Sequence, residues 1–392
     1  MSAGAVPGAA EVLAPADEAE LAAMVAAAAA RRAPLRIRGG GTRLALGRPS
    51  QAAAELSVAR LGGVRLYEPG ALTIVAAAGA TVAEIEATLA AERQILPFEP
   101  MDHRRLLGTD GEPTIGGAAA VNASGPRRVQ AGACRDLMLG VRFVDGRGRV
   151  VKNGGRVMKN VTGYDLVKLM AGAHGTLGVL TEIAFKVLPA PECAATLWLE
   201  GLEDETAIRA MSAALTSPWD VSAAAHLSGG PTMIRLEGLE GSVRARAERL
   251  RERLAAFGDV ETAEEGPLSW RDVRDCAPFA GRPGAVWRVA ARPSMAAAAV
   301  ARLRVERPVE ALYDWGGGLI WLLTPEQDDA GAALVRAAAE AAQGHATLVR
   351  ASDAVRAAVG AFHPRPGADA LAAGLRARFD PAGVLNPGLM AS

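Results

Sequence analysis

Apolar positions recur along the chain with two periods, and the switches between them mark out the elements. Leu21, Met24 and Val25 fall three and four apart behind Asp17 and Glu20, a capping-box spacing, and predict a helix that ends at Arg31 and Arg32. Residues 35–38 read as a short strand running into three successive glycines. Residues 64–68 and 72–77 read as strands around the turn pair Pro69-Gly70. Thr81 with Glu84 opens a second helix, with Val82, Ile85 and Leu89 on one face. Residues 137–144 and 149–152 predict a hairpin around Asp145-Gly146, and 178–188 one long strand stopped by Pro189 and Pro191.

Beyond those prolines the rhythm changes. Strand 196–200, helix 203–215, strands 222–227 and 232–237 and helix 242–256 are followed by strand 286–291, helix 294–304, strands 309–313 and 318–323, helix 325–343 and strand 346–350. The order βαββα occurs twice, with a closing strand clear only in the second copy. This is the order of two ferredoxin-like units, an antiparallel sheet backed by helices. The helix from 325 is expected to start with Thr324 as cap, Pro325 in the first turn and Gln327 closing the box, and to stop at Gly344. A tail helix at 368–379 precedes Asp380-Pro381, and Phe379, Val384 and Leu385 call for burial. The expected fold class is therefore α+β, with domains at 1–190 and 191–350 and a C-terminal segment at 351–392 packing back on the first.

Composition narrows the functions. The 43 basic residues balance 43 acidic ones, which excludes a broad electrostatic grip on nucleic acid. Cys134, Cys193 and Cys276 form no CxxC pair, which excludes an iron–sulfur cluster, a zinc ribbon or a disulfide scaffold within this chain, and no metal site is expected. No apolar run reaches the roughly 18 residues that span a bilayer, and the N-terminus has no basic signal-like region. A cytoplasmic location is expected, with at most peripheral membrane contact through partners. Only four of the 43 basic residues are lysines, all between 152 and 186, where the densest motif also lies.

Three glycine-rich stretches carry the candidate chemistry. Arg38-Gly39-Gly40-Gly41-Thr42-Arg43 follows a strand directly; its backbone N–H groups can form a nest for a phosphate, or the run is a tight turn with no ligand. No Lys-Ser/Thr pair follows, so it is not a nucleoside-triphosphate P-loop, and no GxGxxG opens a βαβ unit. In Pro113-Thr114-Ile115-Gly116-Gly117 and on through Ala120, Asn122, Ala123, Gly125 and Pro126, small residues on every face let a flat ligand approach the backbone, or let a helix pack tightly on a sheet. The third stretch holds Lys159, Gly163 and Tyr164, then His174-Gly175-Thr176-Leu177-Gly178-Val179. His174 invites a catalytic role, although a lone histidine in a turn is more often structural.

In this order and spacing, over about residues 15 to 190, the stretches resemble the FAD-binding domain of the vanillyl-alcohol oxidase/p-cresol methylhydroxylase (PCMH) superfamily. Within it, the run MKNVTGYDLVKLMAGAHGTLGVLTEIAFKVLP and the later FDPAGVLNPG resemble the family of FAD-binding subunits of bacterial glycolate oxidase. The resemblance implies a two-part PCMH-type FAD-binding domain. It implies that the RGGGT run wraps the FAD pyrophosphate with Gly47 nearby, that residues 113–126 line the flavin and ribityl side, and that the Gly175–Val179 stretch holds adenine and ribose. Asn386 of the LNPG signature joins the cofactor set. Covalent relatives place a histidine beside the glycine loop; Thr42 stands there, so FAD is expected to be noncovalent.

Catalytic relatives that oxidise 2-hydroxy acids carry H-x-G-D-G-N-x-H in the second domain. The counterpart runs from Asp314-Trp315-Gly316-Gly317-Gly318 to Trp321, with both histidine positions replaced. An indole supplies neither a base nor a metal ligand. His226 and His363 are possible replacements, with a packing role the more common fate of such residues. The catalytic residues thus stay unassigned. The resemblance implies a flavoprotein subunit that oxidises glycolate to glyoxylate in a complex with a second FAD subunit (GlcD-like) and an iron–sulfur subunit (GlcF-like), electrons passing to the quinone pool. Two alternatives stand beside it: a self-sufficient FAD dehydrogenase of another small hydroxy acid or alcohol, and a non-catalytic scaffolding subunit.

Overall fold

The computed structural model describes residues 11–50, 52–156, 163–263 and 266–391. The first part of the chain forms β1 (Glu11–Leu13), helix α1 (Glu18–Arg31), β2 (Leu35–Arg38), β3 (Ala54–Ser57), β4 (Val64–Glu68), β5 (Thr73–Ala77) and α2 (Val82–Ala90). Next come α3 (Ile115–Ala120), β6 (Met138–Val144), β7 (Val150–Gly154) and β8 (Val179–Lys186). The caps fall where the side chains dictate. Asp17 accepts the N–H of Glu20 at 2.8 Å, Thr81 that of Glu84 at 3.0 Å, and Arg32 ends α1 in the left-handed conformation.

These elements build two sheets. A parallel sheet runs in the order β1-β3-β2, and a five-stranded antiparallel sheet in the order β4-β5-β8-β6-β7. The strands β1 and β3 were not evident from the pattern, since four residues or fewer in an alanine-rich context give no readable period. The long strand expected over 178–188 breaks at Val187, and Leu188-Pro189 pairs instead with Gln94-Ile95. Leu21, Val25, Leu35 and Leu56 seal α1 onto the parallel sheet, while Phe98, Phe143 and Phe185 fill the core under the antiparallel one.

The second part is one continuous sheet. Its strands are β9 (Cys193–Leu199), β10 (Val221–Leu227), β11 (Thr232–Gly238), β12 (Glu261–Ala263), β13 (Ala285–Ala290), β14 (Glu310–Asp314), β15 (Leu319–Thr324) and β16 (His345–Arg350). The order β12-β9-β11-β10-β14-β15-β13-β16 is two ferredoxin-like units joined edge to edge through β10 and β14. The first unit's closing strand, missed in the sequence, is β12, three exposed residues paired with β9. Helices α4 (Asp204–Leu215), α5 (Glu240–Leu254), α6 (Pro293–Glu306) and α7 (Ala332–Ala341) cover one face.

The helix expected over 325–343 is corrected at its start. Thr324 closes β15, and its hydroxyl donates to the Ala330 carbonyl at 3.1 Å. Asp329, not Gln327, receives the free N–H groups of Gly331 and Ala333, so α7 begins at Ala332 and Pro325 lies in a loop. The other sheet face meets the first part of the chain, where Leu46, Met101, Leu106 and Ala118 pack with Trp198, Leu312, Trp321 and Leu323. The tail helix α8 (Pro366–Phe379) leads to Val384 and Leu385, which return beside β2 and are buried.

Candidate functional site

Two adjoining hollows, of about 600 and 420 Å³, lie between the parallel sheet, α3 and the 172–180 turn. Their linings share Ile37, Arg38, Gly39, Gly117, Ala120, His174 and Asn386, so they form one elongated cleft. Gly40, Gly41, Thr42, Arg43 and Thr114 line one end; Gly116, Gly175, Gly178 and Val179 line the other. All three glycine-rich stretches therefore meet at one place.

Side chains are excluded here for steric reasons. A Cβ on Gly40 would stand 1.9 Å from the Glu112 carbonyl oxygen, and one on Gly178 would stand 2.6 Å from the Phe143 ring. Thr114 caps α3 by accepting the Gly117 N–H at 3.3 Å. The C-terminal signature closes the cleft. Asn386 accepts the Ile37 N–H at 2.8 Å and donates to the His174 carbonyl at 2.8 Å, tying the tail to β2 and to the turn.

Arg43 is the conspicuous charge. It donates to the Met101 carbonyl at 2.9 Å and to His103 Nδ1 at 3.3 Å but makes no ion pair among the described residues. Burial lowers its pKa to about 10, with Asp102 and Cys134 acting the other way. A buried guanidinium with no counter-ion is costly unless a ligand supplies one. Arg38 at the same end is partly answered by Glu55, 3.0 Å from its Nε. His174 is pushed down to about 4 by burial, so its imidazole is neutral near pH 7; its ring lies edge-on to Phe362 at 5.1 Å.

Several expected residues stand apart from the cleft lining. Gly47 packs against Leu389, Ile115 is in the core, and Thr176 donates to the Ala173 carbonyl. Pro113 accepts the Val82 N–H, Asn122 takes the Arg135 N–H, and Ala123 and Pro126 are buried beside them. Gly125 offers its carbonyl to Trp315 Nε1 at 3.0 Å, a contact to the second part of the chain. Gly163 and Tyr164 are exposed, Tyr164 by 88%, and Lys159 lies outside the described residues. Conversely, Ile37, Leu44, Leu46, Val121, Leu180 and Leu389 line the cleft without having been singled out. Apolar residues in strands, turns and helix ends carry no local sign of ligand contact.

In the second part, Trp321 is 4% exposed and forms an apolar wall. Asp314 accepts the Trp315 N–H at 2.7 Å, and burial raises its pKa to about 7. His226 is held by Thr232 and Asp204, and His363 by Glu340 and the Ala346 N–H, so both are packing residues.

Comparison with known proteins agrees with this geometry. Residues 9–154 match the family model for an FAD binding domain. The glycolate oxidase subunit GlcE of Escherichia coli (strain K12) is 36% identical over 364 residues, 92% of this chain and 93% of that protein. The glycolate oxidase subunit GlcD of Bacillus subtilis (strain 168) is 29% identical over 187 residues, 47% of this chain but 38% of its own length. Among solved structures, an alkyldihydroxyacetonephosphate synthase superposes with a TM-score of 0.68 at 15% identity, covering 96% of this chain and 75% of that one, a likeness of fold.

Proposed function

The chain belongs to the glycolate oxidase subunit GlcE family, and from that premise we propose that it is the FAD-binding subunit of a glycolate-oxidising complex. FAD is its cofactor, held noncovalently along the cleft. The Gly39–Thr42 backbone with Arg43 would take the pyrophosphate. Gly116, Gly117 and Ala120 would face the flavin side, and Gly175, Gly178 and Val179 the adenosine end. The carrying observation is Arg43: a half-buried cation with no ion pair among the described residues, in a backbone-lined cleft, calls for an anionic ligand. When bound, the flavin would accept two electrons and a proton from the substrate being oxidised.

The wider assembly belongs to the same proposal: a GlcD-like flavoprotein and a GlcF-like iron–sulfur protein as partners, glycolate as substrate, and electrons delivered to the quinone pool. Among the described residues no helix is long and apolar enough to cross a membrane, which is compatible with peripheral association through those partners. Asp314 and Trp321 stand where hydroxy-acid relatives have histidines, so proton removal from glycolate has no imidazole to use there. Co-expression of the three proteins tests the reading. This chain should co-purify with both partners, and glycolate-dependent dye reduction should require it. Full glycolate oxidation by the two partners alone would overturn the proposal.

A further inference from the structure

We propose that Arg128 and Arg288, on either part of the chain and joined by Trp315, form a subsite for a small carboxylate anion. Arg288 is the middle residue of three on one sheet face: it lies directly opposite Trp321 on β15 and Thr347 on β16. That face looks toward the first part of the chain, since Trp321 packs with Met101 and Ala118. The Arg288 guanidinium carbon is 5.3 Å from the Trp315 ring centroid, and that of Arg128 is 4.2 Å from the same ring. An indole face attracts cations but accepts no conventional hydrogen bond. Among the described residues neither guanidinium donates a side-chain hydrogen bond or makes an ion pair, which leaves two full sets of donors aimed at no acceptor.

The charge is also only partly compensated, with Asp136 acting on Arg128 and Asp314 on Arg288. Burial and the neighbouring Arg128 together lower the pKa of Arg288 to about 10. Asp314 is near enough to act on Arg288, but its own pKa is raised to about 7, so it neutralises only part of the charge at neutral pH. Both arginines remain partly accessible. The location points to substrate rather than to the FAD phosphates. Trp315 hydrogen-bonds Gly125, at the end of the stretch expected to line the flavin. The forked donors of Arg suit the two oxygens of a carboxylate, and the flanking Trp321 and Thr347 suit a short organic body. The identification of that anion as a glycolate-like hydroxy acid or its oxo-acid product rests on the reading given under Proposed function; the anion subsite itself does not require it.

The test uses the FAD-loaded full chain, with flavin content measured first. Glycolate, glyoxylate and oxalate are titrated at constant ionic strength in chloride, following flavin absorbance and tryptophan fluorescence; glycolamide and inorganic phosphate serve as the other arms. Saturable perturbation by the carboxylates, none by glycolamide, and weakening by about tenfold or more in Arg288→Gln and in Arg128→Gln with flavin content unchanged are expected. Arg288→Lys should retain part of the binding, and Trp315→Phe should remove most of the fluorescence change. A loaded chain that ignores carboxylates, binds glycolamide equally, prefers phosphate, or keeps its affinity in both Gln variants would overturn the subsite. A chain that never holds flavin yet still binds carboxylates would contradict the cofactor reading and leave the subsite standing.

Discussion

Two sets of arginines sit at the junction between the two parts of the chain, and their surroundings are opposite. Arg127 and Arg235 are locked to carboxylates: Arg127 Nη2 is 2.6 Å from Glu237, and Arg235 Nη1 is 2.9 Å from Glu99. Glu99 also accepts the Arg127 N–H, so the quartet clamps the first part of the chain to β11. Among the described residues Arg43, Arg128 and Arg288 make no ion pair with a carboxylate, although Arg128 is the next residue to Arg127. An arginine that serves the fold arrives with its acceptors, carboxylates for Arg127 and Arg235 and backbone carbonyls for Arg350. On the proposals above, the second set takes its counter-ions from ligands.

Breaking the locked set should have the largest effect on stability. Glu99→Ala leaves Glu237 as the one carboxylate against two buried arginines and should cost about 3–5 kcal/mol, seen as a large fall in thermal midpoint by calorimetry. Arg43→Gln should instead spare the apo protein, because it removes a buried charge, while weakening FAD by about 1.5–3 kcal/mol in a flavin titration. An apo midpoint that fell as far as that of Glu99→Ala would make Arg43 a structural residue and erase the contrast. Asn386→Ala should fall between these, losing about 1–3 kcal/mol and part of the flavin affinity together, since it unties the tail from β2 and from the 174 carbonyl.

The smallest effect is a pH slope. Asp314 has a folded pKa raised from the ordinary Asp range to about 7, so between roughly pH 4 and pH 7 the folded chain holds a proton that the unfolded chain has released. Stability contributed through this group therefore falls as pH rises through that window and is fully lost above it. Desolvation is the first cause; Glu99 acts in the same direction, while the Trp315 N–H, Arg235 and Arg288 oppose it. Asp314→Asn keeps an acceptor for the Trp315 N–H but cannot ionise. Thermal midpoints from pH 5 to 8 should show the wild type declining relative to this variant by a few degrees, roughly; parallel curves would contradict the raised pKa.

The same contrast explains what the sequence revealed. A cleft made of backbone leaves its mark as glycine, and the RGGGT, TIGG and GTLGV runs could be read because nothing larger fits beside Glu112 and Phe143. Caps at Asp17 and Thr81 were legible for a similar local reason. Asp329 was not recognised as a helix cap, because Thr324-Pro325 offered an equally good local pattern that the end of β15 overrode. The unpaired state of Arg128 and Arg288 had no sequence sign at all. In a chain with so many arginines, only the positions of the carboxylate and carbonyl acceptors tell a locked one from an open one. Tyr164 and Gly163 show the opposite limit, since a motif residue can sit in the expected run and still be exposed away from the cleft.

The central claim, that the backbone-lined cleft with its buried Arg43 holds FAD, is tested most directly by counting flavin. The chain purified alone and supplied with FAD should carry about one flavin per chain, released intact into the supernatant by acid precipitation. A wild-type chain that folds but binds no FAD, or one whose flavin stays attached to the precipitated protein, would contradict the account.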